Sequence, residues 1–328
     1  MHYRLLFFCC LYCLSLGGQP SLFDSLHASE APYRIELATD WKKLIRRKAD
    51  KAYQPLTLRV YGLGETPLEF PGRVRPRGHI RLSVCAYPSL KIKLKKEGLR
   101  KAGFSDLNDL KLVLQCSSGE VGVGYHRREK LVYRLHAVYS DHTHRIVPIQ
   151  LATTGSRQDS LRAFFIEDEE QIAARYGGRI LAAKKLSVGA LEREAYVNMC
   201  LFNYLILNTD WAVFNLHNVE FVTAGDSRDL ICIPYDFDYS GFVGTGYAVP
   251  QPQLNLHSIY EPKWLGRGVT PEELLTAAAH FRERREAAVA LIKTYPGLTS
   301  ANQRRLLKRL EDFYRLLDKE KLLLKLLK

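Results

Sequence analysis

The sequence predicts an α+β fold made of two lobes with a cleft between them. Strand-like alternation of apolar and polar residues dominates the first half, as in residues 90–95. Helical spacing dominates the second half, which carries a long amphipathic segment at 191–207 and is helical from Thr270 onward. At 328 residues with 46% hydrophobic content, the chain can bury a large core. We therefore expect a β-rich N-terminal lobe over residues 33–168 and a helical C-terminal lobe over residues 169–328.

The first 17 residues have the pattern of a secretory signal peptide. Arg4 precedes the apolar run 5–16, and residues 15–17 offer small side chains at a cleavage site. Residues 18–32 follow as a polar leader. We expect an exported chain, periplasmic or extracellular after signal-peptide removal, with no transmembrane segment in the mature part.

The net charge of the chain indicates which partners it favours, and its cysteines indicate which cellular compartment suits it. The net charge of +13 favours anionic partners such as nucleotides or acidic substrates, although a basic surface also serves solubility. Cys85 and Cys116 flank a strand-rich stretch, and an oxidising compartment permits a bridge between them. Cys200 and Cys232 lie in apolar runs and are expected to be buried thiols.

The elements of the first half follow from local patterns. Alternation predicts strands at 33–37, 56–61, 90–95, 109–116, 146–151 and 163–166, and helical spacing predicts helices at 40–51 and 127–139. Residues 71–78 are rich in Gly, Pro and Arg, so we expect a turn or an exposed loop there. The strand at 90–95 places Lys91 and Lys93 on one face.

The second half begins with the helix at 191–207. A hairpin follows, and the remaining helices are marked by capping boxes at Thr270 and Ser300 with a break at 296–297 between them. The predicted order of elements is thus a β-rich half, then a helical half that contains one hairpin.

Two short polar segments carry the clearest chemistry. Asp210, Asn215 and Asn218 follow an apolar run, and Asp236 and Asp238 follow a predicted buried strand. Carboxylate and amide oxygens are the ligands that Mg²⁺ or Mn²⁺ prefer, and two neighbouring carboxylates repel unless a cation or strong donors neutralise them. Local turn capping is the competing explanation for the first segment, and exposed loop carboxylates for the second.

Other residues can complete a phosphate-binding cleft. Lys91 and Lys93 can hold phosphate oxygens, and Glu129 in the next helix can pair with one of them. Arg77 belongs to an arginine-rich segment that can cover phosphates, although it has no recognised glycine-loop pattern. Glu167 opens an acidic run after a strand, either as an interlobe hinge or as a helix start.

Taken in order, these segments resemble the CotH-like kinases, a family of secreted atypical protein kinases related to the spore-coat kinase. The resemblance covers roughly residues 30–265 and includes Arg77-Gly78, Pro88-Ser89-Leu90-Lys91-Ile92-Lys93, Arg128-Glu129, Phe165-Ile166-Glu167-Asp168, Asn208-Thr209-Asp210-Trp211, His217-Asn218 and Pro234-Tyr235-Asp236-Phe237-Asp238. It implies a diverged two-lobed protein-kinase-like fold with ATP and Mg²⁺ or Mn²⁺ in the cleft.

The resemblance also implies roles for the matching residues. Asp210 resembles the catalytic Asp that orients the acceptor hydroxyl. The metal ligands would be Asn218, with Asn215 as an alternative, and Asp236, with Asp238 as a second ligand. Lys93, with Lys91 as the alternative, resembles the phosphate-pairing lysine, and Glu129 its helix partner. The sequence departs from the pattern where it reads Asp-Phe-Asp rather than Asp-Phe-Gly, and it has no regular glycine-rich loop.

The expected function is therefore an exported metal-dependent phosphotransferase that moves the ATP γ-phosphoryl group to a hydroxyl of a protein or a small molecule. Nucleic acid is not an expected partner. Two alternatives stay open: a non-catalytic pseudokinase module that binds a nucleotide or another anion, and a glycosyltransferase that uses Asp236-Phe237-Asp238 as a metal motif. The second lacks support from the strand–helix alternation of a doubly wound sheet.

Overall fold

The first half of the chain closes into a seven-stranded β-barrel. The computed structural model describes residues 18–28, 32–225 and 227–328. The barrel strands are β1 Tyr33–Thr39, β2 Gln54–Tyr61, β3 Leu68–Arg77, β4 Ser89–Leu94, β5 Asp109–Leu114, β6 Ile146–Gly155 and β7 Asp159–Ile166. Their order around the barrel is β1-β2-β3-β4-β5-β7-β6, and β6 closes the ring by pairing in parallel with β1. The other neighbouring pairs are antiparallel.

The prediction of a two-lobed, protein-kinase-like fold is wrong. A helical part follows the strands as predicted, but the β-rich part is a closed barrel. Apolar and polar residues alternate in the same way along a barrel strand and along a strand of an open sheet. The sequence pattern therefore predicts the strands and does not reveal that the first of them pairs with the sixth.

Alternate side chains of the strands fill the barrel. Leu37, Val60, Ile92 and Leu112 are fully buried there, each from a different strand. Gly72 in β3 allows β3 and β4 to approach closely, since a Cβ atom at this position would lie 2.5 Å from the backbone oxygen of Lys93.

The segment 71–78, predicted to be a loop, lies mostly within β3. Its Pro and Gly residues weaken the local strand signal, but pairing with β2 on one side and with β4 on the other makes it a strand. Arg77 is accordingly the last residue of a strand rather than part of a covering loop.

The segment predicted as a polar leader contains a short docked helix, α1 Leu22–His27. Ser21 and Asp24 form a capping box at its start, and Leu22, Phe23 and Leu26 are buried with the barrel core. A helix of one and a half turns is too short to show periodicity, which explains why the sequence pattern missed it. The predicted signal peptide, residues 1–17, lies outside the described residues.

The remaining elements are further helices, one hairpin and short 3₁₀ turns, of which α2 and α4 pack on the barrel core. The helices are α2 Trp41–Arg46, α3 Ile80–Val84, α4 Lys96–Lys101, α5 Gly119–Tyr139, α6 Glu169–Arg175, α7 Arg193–Leu205, α8 Pro271–Glu283, α9 Arg285–Thr294, α10 Ser300–Leu317 and α11 Glu320–Leu323; strands β8 Val219–Thr223 and β9 Leu230–Pro234 form a hairpin. Short 3₁₀ turns lie at Lys48–Asp50, Val188–Ala190, Phe237–Tyr239, Pro252–Leu254 and Leu324–Leu327. Among the described residues, no helix combines the length and apolar character needed to cross a bilayer.

A second core joins the helices to the outside of the barrel. It surrounds α7, whose residues from Ala195 to Leu205 are all buried. Phe164 and Ile166 of β7 point away from the barrel interior into this core, and the ring of Tyr133 in α5 packs 5.7 Å from that of Phe164. The outer face of β5 and β7 is therefore an interface, and the candidate site lies at its edge.

A disulfide joins Cys85 to Cys116, as the sequence allowed. It connects the residue after α3 to the chain just beyond β5, so it fixes α3 against the barrel. Cys200 and Cys232 are buried free thiols, as expected from their apolar surroundings.

Candidate active site

A cavity of about 470 Å³ lies between the outer face of the barrel and two turns of the second half. From the barrel side it is lined by Arg77, Ser89, Val113 and Ile166, and by the segment that leads into α3. Tyr133 of α5 contributes to the lining, and the turns after α7 and β9 supply the rest, namely Asp210, His217, Asn218, Tyr235, Asp236, Asp238 and Tyr239. The two sequence segments that predicted the site thus meet in one place.

The turn after α7 holds Asp210 through several hydrogen bonds. Asn218 Nδ2 donates to the carbonyl oxygen of Asp210 at 2.8 Å and to its Oδ2 at 3.0 Å. His217 Nε2 lies 2.9 Å from Asp210 Oδ1. The backbone N–H of Asp210 donates to the buried side chain of Asn208 at 3.1 Å, and the bridge between Ala212 and His217 folds the turn back on itself. The orientation of the Asp210 carboxylate is therefore fixed by its neighbours.

The turn after β9 separates the two aspartates that the sequence places together. Asp236 has φ of 60°, a left-handed conformation, and the chain then enters the 3₁₀ turn Phe237–Tyr239. Its backbone N–H donates to the hydroxyl of Tyr133 at 3.0 Å, and Phe237 is fully buried. Because the backbone turns between them, Asp236 and Asp238 do not lie on one face of an extended segment.

Asp238 is engaged by protein groups. Arg81 Nε donates to its Oδ2 at 2.9 Å, and the hydroxyl of Tyr247 donates to the same oxygen at 2.7 Å. Its backbone carbonyl accepts from Thr245 at 2.9 Å. A metal ligand needs free oxygen lone pairs, so this arrangement makes Asp238 a weaker candidate than Asp236 for that role.

The backbone is strained at this site. Four non-glycine residues with positive φ bound the two turns: Leu207 (58°), Leu216 (55°), Asn218 (53°) and Asp236 (60°). A non-glycine residue in this region costs about 1 kcal/mol or more, and such residues cluster at binding and catalytic sites. Two of the four are predicted metal ligands, which favours a functional reason for the strain.

Glu129 pairs with an arginine and not with a strand lysine. Arg81 Nη2 donates to Glu129 Oε2 at 2.5 Å, and both side chains are buried. Arg81 also binds Asp238, so one guanidinium connects α5 to the turn after β9. The predicted pairing of Lys93 with Glu129 is not formed, because α3 inserts Arg81 between the barrel and α5.

Lys91 and Lys93 lie on the outer face of β4, but they do not line the cavity. Lys91 Nζ is 2.9 Å from Asp109 Oδ2 and 3.5 Å from Asp168 Oδ2, and Lys93 Nζ is 3.5 Å from Asp109 Oδ1. The buried lysine of this region is Lys111 in β5, with Nζ 2.7 Å from Glu169. Sequence analysis missed Lys111, although a lysine inside an otherwise apolar strand is a usable signal.

Glu167 and Asn215 also lie apart from the cavity lining. The carboxylate of Glu167 is fully buried and accepts from Arg145 and Arg175 at 2.6–3.1 Å. These bonds fasten the end of β7 to α6, so its carboxylate is occupied by structural partners. Asn215 is exposed at the tip of the turn after α7, beside the exposed ring of Phe214.

The electrostatics of the cavity favour a bound cation. Burial and the nearby carboxylate of Asp238 raise the pKa of Asp236 to about 6, and Asp210 adds to this, whereas Arg81 and Arg77 act in the opposite direction. Asp236 is enclosed by protein on most sides but remains accessible from the cavity. A carboxylate that is costly to ionise in the empty site is one that a divalent cation would stabilise.

Two neighbouring groups have shifted pKa values as well. Burial raises the pKa of Glu129 to about 7, against the lowering effect of Arg81 and with the help of Asp238 and Asp236. The hydrogen bond to Asp210 raises the pKa of His217 above its usual value. The carboxyl groups of Asp236 and Glu129 therefore titrate closer to neutral pH than ordinary carboxyl groups do.

The oxygens present fit a magnesium-type ion and not a preformed all-protein metal centre. In the described part of the chain, no three His, Cys, Asp or Glu side chains are grouped so as to hold a metal. Mg²⁺ is usually bound through one or two carboxylates together with substrate phosphates. Within the described residues, the carboxylate oxygens of Asp236 and the Oδ1 atom of Asn218 have no hydrogen-bond or ion-pair partner. These oxygens are therefore free to bind a metal ion.

Comparison with solved structures shows a weak similarity in fold. The chain is similar in structure to the Helicobacter pylori proinflammatory kinase CtkA, with a TM-score of 0.42 and 11% sequence identity over 72% of this chain and 91% of that chain. No protein-family model and no curated protein matches the chain. A structural similarity at this level carries no argument about chemistry, so the functional conclusion depends on the geometry of the cavity.

Proposed function

We propose that this chain is a metal-dependent phosphotransferase that moves the γ-phosphoryl group of ATP to a hydroxyl group of a protein or a small molecule. The observation that carries the proposal is the meeting of Asp210, Asn218 and Asp236 in one cavity that also contains Arg77. An oriented carboxylate, free metal-binding oxygens and a free guanidinium are the parts that phosphoryl transfer needs.

Asp210 is the residue that orients the acceptor and takes its proton. The acceptor oxygen attacks the γ-phosphorus, the bond from that phosphorus to the β–γ bridging oxygen breaks, and ADP leaves with the bond electrons. The acceptor proton passes to Asp210, which Asn218 and His217 hold in position. Such positioning of the reactants supplies much of the catalysis in this class of reaction.

The rest of the cavity suits a nucleotide. Val113, Ile166 and the ring of Tyr235 form an apolar part that can pack against a base, while Arg77 can bind phosphate oxygens. Asp236 and Asn218 would hold Mg²⁺ or Mn²⁺, which neutralises phosphate charge when bound. Lys91 and Lys93 are farther candidates for phosphate binding, since Asp109 already pairs with both.

Export is part of the proposal. The Cys85–Cys116 disulfide supports it, because such bonds persist in oxidising compartments and are rare in the cytosol. The resemblance of the sequence to the CotH-like kinases agrees with export, with the cofactors and with the role of Asp210, and membership of that family stays a prediction.

One alternative has a specific observation in its favour. Arg81 and Tyr247 occupy Asp238, which removes a potential metal ligand and suits a module that binds a nucleotide without transferring phosphate. The same observation disfavours the glycosyltransferase alternative, because Asp236 is the one aspartate of the Asp236-Phe237-Asp238 motif without a side-chain partner among the described residues.

The test compares Asp210→Asn with the matched control Asp141→Asn, an exposed aspartate outside the cavity. The purified chain is incubated with γ-labelled ATP and Mg²⁺ or Mn²⁺, and label transfer to protein and to water is measured. We expect Asp210→Asn to lower turnover by about a thousandfold while the control stays near wild type. Equal turnover in the two variants would refute the role of Asp210, and nucleotide binding without turnover in the wild type would favour the non-catalytic alternative.

A further inference from the structure

Three arginines follow one another on the outer face of β3. Arg73, Arg75 and Arg77 alternate with the buried residues Val74 and Pro76, so their side chains leave the barrel on the same side. A strand rises about 3.3 Å per residue, so the Cα atoms of successive arginines lie about 7 Å apart along β3. Arg77 lines the cavity, and Arg75 and Arg73 lead away from it. We call these three residues the arginine track.

The arginine track has no acidic partners in the described part of the chain. Two other arginines of the barrel region are neutralised, Arg59 by Glu36 and Arg145 by Glu167. The guanidinium groups of Arg73 and Arg75 instead stack on the exposed ring of Tyr53, at 4.5 Å and 5.3 Å from its centre. Stacking on a ring orients a guanidinium but leaves its N–H donors free for an anion.

The surroundings of the track add positive charge. The 3₁₀ turn Lys48–Asp50 packs against β3 and against α3, and Arg46, Arg47 and Lys51 beside it are exposed. Asp50 is the only acidic residue of the stretch 41–51. The positive field of this surface therefore extends from the edge of the cavity outward.

We propose that the arginine track docks an extended acidic segment of a polypeptide acceptor. This inference rests on the proposed function and names the class of its substrate. Alternate residues of an extended chain repeat at the same spacing as the track, so carboxylates at positions i and i+2 can each meet one guanidinium. Because the track ends at Arg77, a hydroxyl residue beside the acidic segment is delivered to the cavity that holds Asp210.

The observations favour a peptide over nucleic acid. Single-stranded nucleic acid is usually bound by open aromatic faces together with cations, and here the ring of Tyr53 is covered by Arg73 and Arg75. On the β4 side of the track, Asp109 partly neutralises Lys93, so the uncompensated cations next to the cavity lie in a single row. A single row suits one extended chain better than a broad polyanion.

The test is direct binding, which needs no phosphoryl transfer. A fluorescent peptide with glutamates at alternate positions beside one serine is titrated with the full purified chain, and anisotropy gives Kd. The charge reversal Arg73→Glu with Arg75→Glu is compared with the matched reversal Lys293→Glu with Arg304→Glu, which changes two exposed cations on α9 and α10. We expect at least about a tenfold rise in Kd for the track variant and little change for the control.

Several outcomes would overturn the proposal: equal weakening in both variants, equal binding of a peptide with glutamine in place of glutamate, or tighter track-dependent binding of an oligothymidylate or of phosphatidylglycerol vesicles. If the reversal impairs folding, as judged by circular dichroism, the milder pair Arg73→Gln with Arg75→Gln gives the same comparison. Track-dependent peptide binding without any phosphoryl transfer would refute the proposed function and leave the docking surface standing.

Discussion

Asp236→Asn should stabilise the protein in the absence of metal and abolish its response to metal. Burial, together with the nearby carboxylates of Asp238 and Asp210, raises the pKa of Asp236 from 3.8 to about 6. A folded state that holds this proton more tightly than the unfolded state is stable below the unfolded pKa and loses that stability as pH rises through the folded value. The loss therefore develops between about pH 4 and pH 6.

The size of the effect follows from the shift. Two pKa units correspond to roughly 3 kcal/mol, and the accessibility of Asp236 from the cavity reduces this to roughly 2 kcal/mol. Asp236→Asn removes the charge and keeps the shape, and Asn adopts the left-handed conformation at least as readily as Asp. Above pH 7 the variant should thus have a free energy of unfolding about 2 kcal/mol higher than the wild type, with little difference near pH 4.

Urea denaturation followed by circular dichroism measures both values in the presence of a chelator. Adding Mn²⁺ together with a non-hydrolysable ATP analogue should then stabilise the wild type by about 2.7 kcal/mol when the ligand is at 100 times its Kd, and should leave the variant unchanged. Glu170→Gln, at an exposed carboxylate outside the cavity, serves as the control. A variant that is less stable than the wild type at pH 8, or that still responds to Mn²⁺, would refute the reasoning.

The remaining predictions concern neighbouring groups. His217→Gln should keep a hydrogen bond to Asp210 but remove a titrating group, so the rise of kcat with pH should become shallower at its acidic end; an unchanged pH profile would exclude His217 from the ionisation. Arg81→Met should lower the free energy of unfolding by about 3–5 kcal/mol because it leaves the buried carboxylate of Glu129 unpaired, and urea titration of the double variant with Glu129→Gln should recover part of the loss. Replacing Cys85 and Cys116 with Ala should lower the free energy of unfolding by about 3–4 kcal/mol. A reducing agent should then have no further effect on the midpoint of urea denaturation.

Sequence reasoning succeeded where a signal is local. The apolar runs that precede Asp210 and Asp236 belong to buried elements. Polar residues that follow such runs are brought to the edge of a core. The strand at Ser89–Leu94 and the helix at Arg193–Leu205 differ from prediction by two residues or fewer at each end.

Sequence reasoning failed where a contact joins residues that lie far apart in the sequence. Nothing near Arg81 indicates that it will bind Glu129 and Asp238, since the three residues come from α3, α5 and the turn after β9. Lys91 and Lys93 of β4 match the family pattern in sequence, but both form ion pairs with Asp109 on the neighbouring strand β5. Register between strands, and not the composition of one strand, decides which charges meet.

The parallel pairing of β1 with β6 sets the order in which this protein can fold. Tyr33 pairs with Ile149 of β6, so the barrel cannot close until β6 and β7 have both been made. Until then β1 can pair only with β2, and its other edge is open to pairing with a second chain. Contacts of such long range slow folding and prolong exposure of unfinished edges. Synthesis or translocation that pauses before residue 155 should therefore leave a species prone to aggregation.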